Sequence, residues 1–309
     1  MKKLGYMLCM MFAILILIGL LLSADQVRAS CYDAVIMCGR LIIPSLFPFF
    51  VLSGFLSRLG LPGILGRLVS PVVSRIYGIS PAGASALIMG FIGGYPAGAA
   101  YIADMEKEGL IDAAEGERLM GFCNNSGPAF VVGVMGSGVF GSVKIGLSLY
   151  AVHIVSALLT GLIFRSGTYS GRIPPHRLDE TDPVQAIVAS VKGALISILN
   201  VAAFVTAFSV LLSMLESYGF FGLFRADYSK AFISGVLELG SGAAALSTLD
   251  VSPRSLALAA GMLSWGGLSV HFQTLAVLSD SKIKGSLHLA GRLSSAIIAF
   301  ILMYLVSLF

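Results

Sequence analysis

Residues 119–140 read Leu-Met-Gly-Phe-Cys-Asn-Asn-Ser-Gly-Pro-Ala-Phe-Val-Val-Gly-Val-Met-Gly-Ser-Gly-Val-Phe. An apolar run of about 20 residues is long enough to cross a bilayer, yet this one is interrupted by two carboxamides, a hydroxyl, a glycine and a proline. Pro128 cannot donate a backbone hydrogen bond. At membrane depth, irregular backbone survives only when packed inside protein or lining a cavity. The stretch therefore predicts a broken membrane helix with polar groups at the break. Composition agrees over the 309 residues: 57% are hydrophobic and 12% charged, against about 25% charged in an average soluble domain, and the mean hydropathy is +0.91. The chain reads as an all-α, polytopic integral membrane protein in contact with the lipid bilayer. Roughly seven to ten crossings are expected at about 20 residues each, leaving no stretch for a soluble catalytic domain.

Outward from residues 119–140, apolar segments recur at 33–57, 80–103, 119–140 and 144–164, then at 183–215, 231–249, 255–278 and 286–309. These form two sets of four. Gly-Tyr-Pro-Ala-Gly-Ala-Ala (94–100) is similar to Glu-Leu-Gly-Ser-Gly-Ala-Ala (238–244), and Gly121 and Gly127 fall at Gly261 and Gly267, a shift of 140. Two homologous helical repeats with broken or re-entrant helices are the usual pointer to a secondary transporter; duplication of a plain anchor is the simpler reading. The expected division is an N-terminal anchor helix or signal peptide over 1–30, repeat 1 over 31–165, a polar linker over 166–183 and repeat 2 over 184–309. Re-entrant hairpins at 33–57 and 183–215 would leave three crossings per half and invert the repeats. Arg58, Arg67 and Arg75 punctuate an apolar stretch, which suggests a helix lying in the interface, and the acid-rich 104–118 reads as a solvated loop.

Residues that could carry chemistry cluster at the breaks. Pro44, Ser45 and Pro48 sit in one apolar segment; Gly94, Pro96 and Gly98 break the next; Asn124, Asn125, Ser126, Gly127 and Pro128 form the sharpest signal. Carboxamides donate and accept, and unwound carbonyls and helix ends hold ions or anionic groups. The second half offers Ser241, Trp265, Gly267, Gln273 and Arg292 as binding partners and Glu238 as an intramembrane carboxylate for ion coupling. Its bland reading is a Glu paired with Arg292 or Lys192. His153 is expected to be a packed, hydrogen-bonded residue, with a proton relay the weaker reading; His271 follows the 264–267 motif.

Other classes are disfavoured. The net charge of +4 reads as loop charge near headgroups, with no nucleic-acid partner. Cys9, Cys31, Cys38 and Cys123 make no CxxC, so no metal is expected. Residues 136–141 fit GxGxxG, but no strand precedes them; with no GxxxxGK[ST], GxSxG or HExxH in the chain, no cofactor and no enzyme activity are expected.

Three motifs in order carry a family resemblance: 41–51 (Leu-Ile-Ile-Pro-Ser-Leu-Phe-Pro-Phe-Phe-Val), 90–98 (Gly-Phe-Ile-Gly-Gly-Tyr-Pro-Ala-Gly) and 123–130 (Cys-Asn-Asn-Ser-Gly-Pro-Ala-Phe). The chain resembles the nucleoside-recognition, or Gate, membrane family, and within it the sporulation type. The resemblance implies helical hairpins whose polar tips, at Pro44–Pro48 and Gly93–Gly98, hold substrate with the broken helix at Asn124–Pro128. It implies movement of a small anionic or nucleoside-like substrate, dipicolinic acid in the sporulation type, across the outer forespore membrane. A nucleoside transporter, and a non-transporting spore-maturation scaffold that forms a homo-oligomer or binds a membrane partner, are the alternatives.

Overall fold

The computed structural model describes residues 2–166, 182–224 and 226–308. The expected linker falls almost wholly on 167–181, outside the described residues. Among the described residues every regular element is helical. Among the described residues six helices are long and apolar enough to cross a membrane, or seven if the bent pair Leu61–Tyr77 and Pro81–Gly93 is one span, and the protein is a multi-pass integral membrane protein.

The first of these, α1 (Lys2–Leu22), scarcely touches the rest: only 6% of its apolar window is buried in protein. Then α2 (Ala24–Met37), a π-helical turn (Cys38–Ile42) and α3 (Ile43–Arg58) run on as one 35-residue helix. Pro44 and Pro48 therefore lie inside a continuous helix, not at a hairpin tip. The wider π turn directly precedes Pro44, where the missing N–H interrupts the α-helical ladder. The interfacial candidate is α4 (Leu61–Tyr77), bounded by left-handed Gly60 and Gly78 and set at 103° to α5 (Pro81–Gly93).

Next come α6 (Ala97–Lys107), α7 (Ala113–Phe122), an 11-residue π-helical segment (Ala129–Val139) and α8 (Val143–Ile163). The second half repeats the order. It has α9 (Pro183–Ser217), α10 (Asp227–Leu237), α11 (Leu239–Leu246), α12 (Pro253–Trp265), α13 (Gly267–Leu278) and α14 (Ser286–Val306), with a 3₁₀ turn (Phe220–Leu223) after α9. Lengths match between halves: a 35-residue helix opens each and a 21-residue helix closes each. Two interrupted pairs lie between, in accord with a twofold repeat. The halves interlock, α7 against α14 and α8 against α12 and α14, while the two 35-residue helices pack on each other.

Local chemistry sets the boundaries. Ser80, Ser142 and Ser252 cap α5, α8 and α12 with their hydroxyls, and Pro81 and Pro253 occupy first-turn positions where no N–H is needed. The acid-rich stretch is mostly helix, because its acids serve as caps: Asp112 accepts from the Glu115 amide at 2.7 Å. Glu115 is buried and accepts the Ser80 N–H at the start of α5. Glu117 accepts Gly285 N–H at 2.8 Å, Ser286 Oγ at 3.0 Å, Leu287 N–H at 3.3 Å and the Lys284 N–H, capping α14 from α7. The central element is α12–α13, 78% of whose apolar window is buried in protein.

Candidate functional site: four helix breaks around a buried cavity

Each half crosses its two broken helices at the breaks. In the first half, Gly94 (φ +68°) meets Gly127: a Cβ on Gly94 would lie 2.5 Å from the Gly127 nitrogen. In the second, a Cβ on Gly267 would lie 3.1 Å from Leu239 N and 3.4 Å from Glu238 Cα. The four breaks thus touch in corresponding pairs, 94 with 127 and 238 with 267. Gly90 backs directly onto the Cys123 carbonyl and Gly242 onto Gly235, so these glycines are required by close backbone approach.

The polar motif at 124–126 stitches the halves together. Asn124 and Asn125 are fully buried. Asn124 Nδ2 donates to Thr274 Oγ1 at 3.0 Å, and Asn125 Nδ2 donates to the Phe122 carbonyl at 2.9 Å. Arg292, also fully buried, donates Nη1 to Asn125 Oδ1 at 2.9 Å and Nη2 to the Gly121 carbonyl at 3.1 Å. Ser126 Oγ donates to the Leu263 carbonyl at 2.9 Å, and its N–H donates to His153 Nε2 at 3.1 Å. That bond makes Nε2 the acceptor, so neutral His153 carries its proton on Nδ1 and donates to Ser264 Oγ at 2.8 Å. Ser156 and Ser295 extend the chain. His288 donates Nδ1–H to the Met120 carbonyl at 3.2 Å and accepts from His271 at 3.0 Å. His271 packs edge-on to Trp265 at 4.3 Å.

Between the breaks and the two 35-residue helices lies an inner cavity of about 60 Å³. Of the residues singled out in the sequence, Gly94, Ser126, Gly127, Pro128, Glu238 and Gln273 line it. Tyr95 and Ser269 line it as well; their hydroxyls are buried with no partner. Gln273 is buried. Glu238 caps α11, accepting the Gly240 N–H at 2.8 Å and the Ser241 N–H, and pairs with neither Arg292 nor Lys192. Pro96 lines a separate, larger vestibule of about 690 Å³ among α3, α4, α5, α6 and α9. Phe50 borders both spaces. Asn124, Asn125, Pro44, Ser45, Pro48, Gly98, Ser241, Trp265, Gly267 and Arg292 line neither. Ser269 escaped the sequence reading because a serine on an apolar helix carries no signal until the fold shows what it faces. Among the described residues no group of three His, Cys, Asp or Glu side chains is placed to hold a metal.

Fold and site together define a multi-pass helical membrane protein whose helix breaks meet around a buried cavity. Residues 40–143, which contain all three motifs, match the family model described as Nucleoside recognition (Gate). The chain is similar to the sporulation integral membrane protein YlbJ of Bacillus subtilis (strain 168), with 28% identity over 306 residues, covering 87% of this chain and 74% of that protein. The resemblance carried by the motifs is thereby shown. No solved structure matches.

Proposed function

We propose that the protein is a secondary transporter or facilitator, not an enzyme, that carries a small polar anionic metabolite through the inner cavity by alternating access. The observation that supports this most is the convergence of four helix breaks, two from each half, on one buried cavity with unpartnered hydroxyls. Paired discontinuous helices are how transporters present backbone dipoles to a substrate at the membrane midplane. The vestibule has the volume of a small-molecule site, typically about 300–1,000 Å³. The inner cavity has room for about two waters at about 30 Å³ each. This conformation is therefore open at the vestibule and closed around the inner site, and opening requires movement at Phe50 and the 94–96 break. Gln273, Ser269 and Tyr95 contact substrate; Asn124, Asn125 and Arg292 hold the breaks in place; Glu238 is the ion-coupling carboxylate. The substrate proposed is dipicolinate and the location the outer forespore membrane, as the motif resemblance implies for the sporulation type.

The test is uptake of labelled dipicolinate, and separately of nucleosides, into proteoliposomes of purified protein, with Gln273→Ala as the site variant. Dipicolinate flux that falls at least tenfold in the variant supports the reading. Absence of flux of either compound through folded wild-type protein overturns it, and nucleoside flux alone replaces the substrate.

A further inference from the structure

We propose that the inner cavity admits an anionic ligand only together with a proton, taken by Glu238, so that Glu238 is the proton carrier of a ligand–proton symport. This rests on the transporter reading above. Glu238 is the one charged residue lining the inner cavity, and it is 2% exposed. Nothing that faces it brings a compensating cation. The 35-residue helix Ala24–Arg58 presents the Cys38 thiol and the Met37 side chain. The α5–α6 break presents Tyr95, and α13 presents Ser269 and Gln273. From α9 come Val201 and Val205, with Ser209 bonded to Ser241; the π segment adds Ala129 and Phe130.

The surrounding core holds one opposite charge. Arg292 is buried against neutral oxygens, and among the described residues no carboxylate pairs with it. His153 and His288 each accept one hydrogen bond on a ring nitrogen, which leaves them uncharged. Around the cavity, among the described residues, one positive and one negative charge therefore sit in separate hydrogen-bond networks. A ligand carboxylate entering beside ionised Glu238 would put two anions in one dry space, where both do not stay ionised. A proton from water bonding to a Glu238 oxygen converts that carboxylate to a neutral acid. The Gly240 and Ser241 N–H groups at the α11 N-terminus are then free to receive the ligand carboxylate in its place. Release of ligand on the other side returns the proton to water, and no electrons are transferred.

The test uses the full-length protein in liposomes, labelled dipicolinate and Glu238→Gln, which is permanently neutral. Wild type is expected to accumulate ligand about tenfold per pH unit of a gradient with the acid side outside, for each coupled proton. The variant is expected to lose gradient-driven accumulation, and dipicolinate binding to it is expected to take up no proton. Calorimetric titration of the wild type with dipicolinate, in buffers of different ionisation enthalpy, is expected to show at least one proton taken up per ligand. This measurement needs no variant. Gradient-driven accumulation by Glu238→Gln, proton uptake on ligand binding to Glu238→Gln, or wild-type binding with no proton uptake each overturns the inference. Counterflow without proton coupling leaves the transporter reading standing; absence of wild-type counterflow removes both.

Discussion

Gly94 and Gly127 are in backbone contact. This links the break between α5 and α6 to the break after α7, and the same contact recurs between Glu238 and Gly267 in the second half. Gly94 has φ +68° and ψ −170°, a region open essentially to glycine alone. Gly94→Ala therefore combines backbone strain with a clash against the Gly127 amide. A loss of about 2–6 kcal/mol is expected, from about 1–3 for each effect, read as a fall in melting temperature in detergent. Gly193 has open space around its Cα, and Gly193→Ala in α9 is expected to be neutral or up to about 1 kcal/mol stabilising. Equal melting temperatures for the two variants would show that the breaks do not touch.

Arg292 and Asn125 form a buried bond across the halves. Asn125→Ala strips the guanidinium of an acceptor and the Phe122 carbonyl of a donor, and is expected to cost about 2–4 kcal/mol. Arg292→Met removes the charge and is expected to rescue part of that loss in the double variant, because no buried cation is then left short of an acceptor. Simple additivity in the double-mutant cycle would refute the coupling.

His153 braces the Ser126 break against Ser264. His153→Ala leaves a buried N–H unpaired and a cavity behind, for an expected loss of about 2–4 kcal/mol. Ser264→Ala is expected to cost about 1 kcal/mol alone and less in the His153→Ala background. Thermal unfolding of the three variants measures the difference.

Glu117 accepts four hydrogen bonds from the start of α14. Glu117→Ala is expected to cost about 1–2 kcal/mol, with Glu117→Gln in between. Amide exchange should accelerate at 284–287 and not at Gly94. Uniform acceleration across the chain would mean that Glu117 acts globally and not as a cap.

Glu115 lies outside the six candidate spans, and burial raises its carboxyl above the ordinary value, partly offset by the bonds from Ser80 and the charge of Arg118. A raised folded value means that the native state binds more protons than the unfolded one. Stability then falls as pH rises from the ordinary value of 4.5 through the folded value. Glu115→Gln keeps an acceptor for the Ser80 N–H without the charge, and is expected to flatten that slope. Parallel melting-temperature curves for wild type and variant between pH 4 and 8 would contradict it.

Much of the architecture was legible along the chain because hydrophobic length and interruption are local properties. Apolar runs, the Asn124–Pro128 break and the shift of 140 between Gly127 and Gly267 needed no third dimension. Pro44 and Pro48 misled for a local reason as well: a proline signals a lost hydrogen bond, but a π turn upstream absorbs that loss without breaking the helix. The acids at 104–118 read as solvated because a charge run usually is, and only packing revealed that Glu115 and Glu117 cap helices distant in sequence.

The sequence by itself determined the membrane class and the all-helical fold, and pointed to the places where helices break, because the bilayer imposes strict rules on length and backbone satisfaction. Tertiary structure alone decided which polar residues face a cavity and which face each other. Asn124 and Asn125 are as polar as Gln273, yet their amide N–H groups are spent inside the protein, on Thr274 and the Phe122 carbonyl, and the Asn125 oxygen accepts from Arg292. Gln273, Ser269 and Glu238 line the cavity. Hydrogen-bonding capacity belongs to the residue type, but the partner that consumes it comes from an element about 150 residues away in the chain, and only the folded chain brings the two together.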